Sequence, residues 1–198
     1  MSYKSEVFKI ELDYIKNDKM REVATELVEM LPDYTFEIPA SASGKYHPSY
    51  TSGKGGLVRH TQAAVRIAKE LLRLEMYSSI NLYHDYIIIA LILHDGWKRG
   101  LPNKDGTFSE YMQVDHSRVC CNWLYTLAET DHFKEVGDYL KCIGYFILTH
   151  MGQWNLNYST GEIFAPKPQT QEQMFVHLCD YLASRKCLEM NFDIPYSD

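Results

Sequence analysis

The sequence predicts an all-α fold, and three observations carry that expectation. Apolar residues recur at three- and four-residue steps along most of the chain, the spacing of one helix face. Cap signatures stand before several of these segments. No segment shows the two-residue alternation of a half-buried strand.

Taken in order, 5–31 reads as two short helices, with Asp18 as N-cap of the second and Pro32 as its terminator. From Pro32 to Gly56 the periodicity breaks up among Pro39, Gly44, Pro48, Gly53, Gly55 and Gly56, which indicates a long loop of the kind that often carries function. Gly56 opens the clearest helix. His60, Ala63, Ala64, Ile67, Ala68 and Leu71 share one face, and Arg59, Gln62, Arg66, Lys69 and Arg73 the other, which predicts a solvated basic side. The run from Tyr83 to Asp95 is apolar all round. Periodicity cannot separate a buried strand from a buried helix there, but its length favours a helix ending at Gly96.

Residues 96–114 form a second irregular stretch, with Pro102 and an Asp105-Gly106 turn. Asp115 can cap a helix running to about Thr130, on which His116, Val119, Cys120, Trp123 and Leu127 share a face. The next helix is expected from Asp131 to about His150, followed by a loop over 151–169. Thr170 and Gln173 have capping-box spacing and begin the last helix, which carries Asp180 near its middle.

A chain of 198 residues, 45% apolar and 23% charged, suits one globular domain over 1–198, with an N-terminal helical extension over 1–32. The net charge of −6 argues against a protein that coats long nucleic acid. Between Gly44 and Arg118, however, ten Lys/Arg face seven Asp/Glu, a local +3 that leaves −9 elsewhere. A basic segment in an acidic chain fits a small anionic ligand. The cysteines at 120, 121, 142, 179 and 187 lack CxxC spacing and lie in apolar surroundings, so buried reduced thiols are expected. The polar N-terminus has no signal-peptide stretch, and the apolar run Tyr86 to Leu93 is too short to span a bilayer. The expectation is a soluble cytoplasmic protein.

Four histidines (His60, His94, His116, His150) and two aspartates (Asp95, Asp180) fall where helical periodicity points inward, on five separate helices. Burying several imidazoles and carboxylates together without a cation would leave many polar groups short of partners. A metal removes that cost. Imidazole and carboxylate suit one or two divalent ions of Mn, Fe, Zn, Co or Ni, not a thiolate or all-oxygen calcium site.

In that order, His60, His94-Asp95 and Asp180 resemble the H…HD…D signature of the HD-domain superfamily of metal-dependent phosphohydrolases. GGLVRHT (Gly55–Thr61) resembles the opening motif of the HD domain of bacterial 3′–5′ exoribonucleases, LILHDGWK (Leu91–Lys98) the family centre, and HLCDYLASR (His177–Arg185) its closing segment. The resemblance runs from about Tyr46 to Met190 and implies an HD-like helical bundle. It implies that His60, His94, Asp95 and Asp180 hold a first ion, that His116 and His150 serve a second, and that Asp95 bridges them. It also gives Lys98 a place against substrate phosphate, so Asp95 and Lys98 are the catalytic candidates.

The expected activity is hydrolysis of a phosphoester through water activated by the ions. Candidate substrate contacts are Lys54 and Arg59 at a helix start that favours anions, Lys98, Arg118 half a turn past His116, and Trp154. Tyr158 and Phe164 share the Trp154 loop, and any of the three could stack on a base. Tyr46 and His47 precede the first motif at a longer spacing from His60 than in exonuclease-like members. His84 and His132 read as surface residues, and His177 as either a support for the ligands or a structural residue. The exoribonucleases carry a separate nucleic-acid-binding domain for which this chain has no room, so a nucleotide, dinucleotide or short oligonucleotide is expected, with no membrane partner. Two other classes compete: a di-iron oxygenase cleaving C–C or C–P bonds, which shares the six-ligand pattern, and a non-catalytic nucleotide sensor, a kind of family member that usually loses ligands present here.

Overall fold

The computed structural model describes residues 3–188, and these fold into eight α-helices joined by turns and short 3₁₀ segments, with no strand among them. Two residues of the segment that resembles the HD family, 189 and 190, lie outside that range.

The N-terminal region holds α1 (Tyr3–Val7), α2 (Lys9–Asp13) and α3 (Asp18–Glu29), one helix more than the periodicity suggested. The cap of α3 is Asn17, not Asp18. Its backbone is extended and its side chain accepts from the Met20 N–H. Two adjacent residues are both good caps by type, and the extended φ/ψ of the first decides between them.

The loop after α3 is tied down by backbone bonds. The N–H groups of Gly55 and Leu57 donate to Glu37 and Ile38, and Ala40 donates to Thr51. This brings the Thr51 carbonyl against the start of α4 (Gly56–Leu71), where a Cβ on Gly56 would lie 2.0 Å from that oxygen. Only glycine permits so close an approach.

The ambiguous apolar run is a helix, α5 (His84–Leu93), with every residue from Ile87 to Leu93 buried. An element apolar all round belongs at the centre of a fold, and α5 packs against α2, α3, α4, α7 and α8. Together with the preceding 3₁₀ segment it makes the one described stretch, Glu75–Leu93, that is long and apolar enough to cross a membrane by length and composition. The α5 part of that stretch lies inside the protein core.

α6 (His116–Ala128) and α7 (Gly137–Thr149) form a closely packed pair, and α8 (Gln171–Ala183) lies across α4. Asp115 is the N-cap residue of α6, as expected, but its side chain makes no cap hydrogen bond and its carboxylate accepts from Arg118 instead. α7 starts six residues later than expected, after a turn and a 3₁₀ segment at Lys134–Val136. The Thr170–Gln173 capping box is present as expected.

The basic face of α4 is not wholly solvated. Arg66 is buried and bonded to Glu11, itself fully buried, at 3.0 Å. Burial pushes the Glu11 carboxyl up in pKa, against the opposing pull of Arg66. All five cysteines are free, but Cys142 is half-buried and Cys187 exposed rather than buried. His84 is half-buried against Asp85, not a free surface residue.

Candidate metal centre

The six inward histidines and aspartates meet at one place, and helix ends deliver most of them. His94 is the C-cap of α5 and Asp95 follows it, so the helical path breaks where their side chains would diverge. His116 begins α6 and His150 caps the C-terminus of α7. His60 lies in the second turn of α4 and Asp180 late in α8. All four imidazoles and Asp95 are buried, each at 3% exposure or less.

Three rings are oriented by one device. The Nδ1 atoms of His94, His116 and His150 each lie 2.7 Å from the carbonyl oxygen three residues upstream, at Leu91, Gln113 and Ile147. A carbonyl only accepts, so each Nδ1 carries the proton and each Nε2 presents a lone pair to the cluster.

Asp95 divides the cluster. Its Oδ1 lies 2.9 Å from His116 Nε2 and 3.7 Å from His150 Nε2. Its Oδ2 lies 3.6 Å from His94 Nε2 and 3.8 Å from His60 Nε2. Asp180 Oδ1 completes the second group, 3.0 Å from His60 Nε2 and 3.5 Å from His94 Nε2.

These donors fit a metal. The His116 and His150 Nε2 atoms face each other at 3.3 Å, two lone pairs with no proton between them. Such a pair repels unless a cation lies alongside. Ligand atoms sharing an ion at bonds of roughly 2.1 Å stand about 3–3.5 Å apart; those of His60, His94 and Asp180 lie 3.0–3.5 Å apart, and those of Asp95, His116 and His150 lie 2.9–3.7 Å apart. The His60–His94–Asp180 group, with Asp180 half-buried, and the buried His94–Asp95–His150 group can therefore hold a metal ion.

The electrostatics agree. Burial opposes ionisation of Asp95, but the Lys98 ammonium, His94 and His116 hold its carboxyl well below the usual range. Burial likewise opposes Asp180, which His60 and His94 hold low. His94 is raised, since Asp95 and Asp180 outweigh its burial. Burial, together with Lys98, pushes His116 down to about 4, leaving a neutral imidazole suited to ligation.

A cavity of about 400 Å³ opens over the cluster, lined by His60, Asp95, His150 and Asp180 together with Lys98, Trp154, Tyr181 and Arg185. Lys98 Nζ stands 2.7 Å from each Asp95 oxygen. Tyr46 and His47 also line the cavity despite their longer spacing in sequence. His177 donates from Nδ1 to the His150 carbonyl at 2.7 Å and so supports that turn. Gly152 in the same turn has φ +56°, and a Cβ there would lie 2.2 Å from the His177 ring.

Three of the predicted substrate contacts are elsewhere. Lys54 pairs with Glu37 at the surface. Arg59 donates to the carbonyls of Tyr50, Ser52 and Lys54 and fastens the loop, its charge spent on backbone. Arg118 is held by Asp115 and Glu162. Of the loop aromatics, Phe164 is buried and Tyr158 is exposed, while Trp154 lines the cavity. Tyr181, Ser184 and Arg185 were not anticipated. Their positions, one, four and five residues after Asp180, are the signal that could have found them.

Comparison of the chain with protein-family models, curated proteins and solved structures finds no match.

Proposed function

We propose that this protein is a metal-dependent phosphohydrolase of the HD type, acting on a phosphoester of a nucleotide, dinucleotide or short oligonucleotide. One observation carries the reading. The two oxygens of a single buried carboxylate, Asp95, face two separate groups of imidazole Nε2 atoms, the arrangement that suits two divalent ions. Such ions supply Lewis acidity toward phosphoryl oxygens and make water a nucleophile near neutral pH.

The chain's own residues do the rest. His60, His94, Asp95 and Asp180 make one binding set, and Asp95, His116 and His150 the other. Lys98 places a cation beside Asp95 at the cavity wall, where it can neutralise charge developing on phosphoryl oxygens. Trp154 offers a ring to a base. A 400 Å³ cavity is at the small end of the range for ligand pockets and suits a small substrate over a polymer.

The test is elemental analysis by plasma mass spectrometry on protein purified without chelators, with a phosphate-release screen over nucleotides, dinucleotides and short oligonucleotides. One to two transition-metal ions per chain are expected, together with turnover of at least one phosphoester. Asp95→Ala should lose most of the metal and at least about a hundred-fold in rate. Full metal content in Asp95→Ala overturns the two-ion assignment. Iron with oxygen consumption, and no phosphate release from any substrate, overturns the hydrolase in favour of an oxygenase.

A further inference from the structure

The outer wall of the cavity is a pile of planar groups around one arginine. Trp154 and Tyr181 stack with centroids 5.7 Å apart and planes within 11°. The Arg185 guanidinium lies over the Tyr181 ring at 4.4 Å and over the Tyr46 ring at 5.7 Å. The Lys186 N–H donates to the Tyr46 carbonyl and ties the chain after α8 to the loop bearing that ring.

A guanidinium held against ring faces keeps its edge, and therefore its N–H donors, free for bonds in its own plane. Here Nε and one Nη donate to Ser184 Oγ, at 3.1 and 2.7 Å. The other Nη donates to nothing among the described residues, and no described carboxylate pairs with Arg185. Arg21, Arg66, Arg73 and Arg118, by contrast, each have an acidic partner. Arg185 is thus preoriented at the wall of the cavity, with donor capacity that no described residue takes up.

Its position separates it from the reacting centre. Arg185 follows Asp180 by five residues and lies just past the C-cap of α8, Ser184, more than one helical turn along the chain from that aspartate. A phosphate at the His/Asp cluster with Lys98 would leave Arg185 for another part of the same molecule.

We propose that Arg185 anchors a second, non-reacting anionic group of the substrate, so that the site selects compounds carrying two separate anionic groups over esters carrying one. The identity of the first group rests on the phosphohydrolase reading. The second is a phosphate or a carboxylate, since a guanidinium edge accepts either.

Phosphonates test this without turnover by a hydrolase. Benzylphosphonate carries one anionic group, 4-carboxybenzylphosphonate adds a carboxylate, and 1,4-xylylenediphosphonate adds a phosphonate instead. Dissociation constants are measured calorimetrically on the metal-loaded full chain, on Arg185→Gln and on Arg185→Lys, with metal content and melting curves recorded for each. Wild-type protein should bind at least one doubly charged probe ten-fold or more tighter than benzylphosphonate, and which one identifies the second group. Arg185→Gln should abolish that preference at unchanged metal content, while Arg185→Lys, a point charge without the fork, should retain part of it. Equal affinity for all three probes in the wild type, or a preference that survives in Arg185→Gln, overturns the anchor. A preference without phosphate release from any ester leaves the anchor and removes the hydrolase; release without a preference does the reverse.

Discussion

Lys98 is the residue on which charge and chemistry meet. A protonated lysine cannot ligate a metal, so its contact with both Asp95 oxygens is a charge contact that a cation beside Asp95 would weaken. Lys98→Ala should therefore lower phosphoester turnover about ten- to a thousand-fold, the range for losing one charged transition-state contact, without lowering metal content. Lys104, exposed in the loop after α5, is the control. Equal behaviour of Lys98→Ala and Lys104→Ala in turnover would make Lys98 a surface lysine in function. At this scale His60, His116 and Asp180 were legible because short side chains on helices go where periodicity sends them, and His94, Asp95 and His150 because they stand where helices end. Arg59 and Arg66 were not. A long side chain can leave a polar face and find a carbonyl or a buried carboxylate many residues away, as Arg66 does with Glu11.

Elements are joined by side chains that no periodicity reveals. Asp85, in the first turn of α5, accepts from the backbone N–H groups of Lys16 and Asn17, each at 2.9 Å, just before α3, and from His84 at 2.8 Å. Burial would raise its carboxyl, but His84 and the two N–H groups bring it below the ordinary carboxylate value. The sign follows from that depression: the stabilisation is present above about pH 4 and is lost as pH falls through the lower folded pKa. Asp85→Asn should cost about 1–3 kcal/mol at pH 7, and its gap from wild type in urea unfolding should narrow toward pH 3. A gap of equal size at both pH values would show that the charge contributes nothing. The starts of α4 and α8 were legible from Gly56 and from the capping box. The start of α7 was not, because Phe133 and Val136, three apart, satisfy a 3₁₀ turn as well as an α-helix. The state of α5 lay beyond periodicity, since a segment buried on every side has none.

At the scale of the molecule, the candidate ligands come from α4, α5, α6, α7 and α8, so an ion bound among them would tie five helices that an unfolded chain holds apart. The outer cavity wall was hidden in the sequence for the same kind of reason. Tyr46 and Arg185 are 139 positions apart, and only the packed fold brings them into contact. Binding to the folded state alone adds stability that grows with occupancy, about 4 kcal/mol when free ion is a thousand times its dissociation constant. For a chain near 200 residues each kcal/mol moves the melting temperature by roughly 2–4 °C. Removing metal with a chelator and dialysing the chelator away should therefore lower the melting temperature by about 8–16 °C, and adding back the native ion should restore it. Part of that binding energy is relief of repulsion, because without an ion the His116 and His150 lone pairs face each other uncompensated. Asp95→Ala separates this effect from a general action of the chelator, since a variant that binds little metal has little to lose and should melt at the same temperature before and after treatment. A wild-type curve that does not move after verified metal removal, or an Asp95→Ala curve that moves as far as wild type, would show that no ion at this centre holds the five helices together.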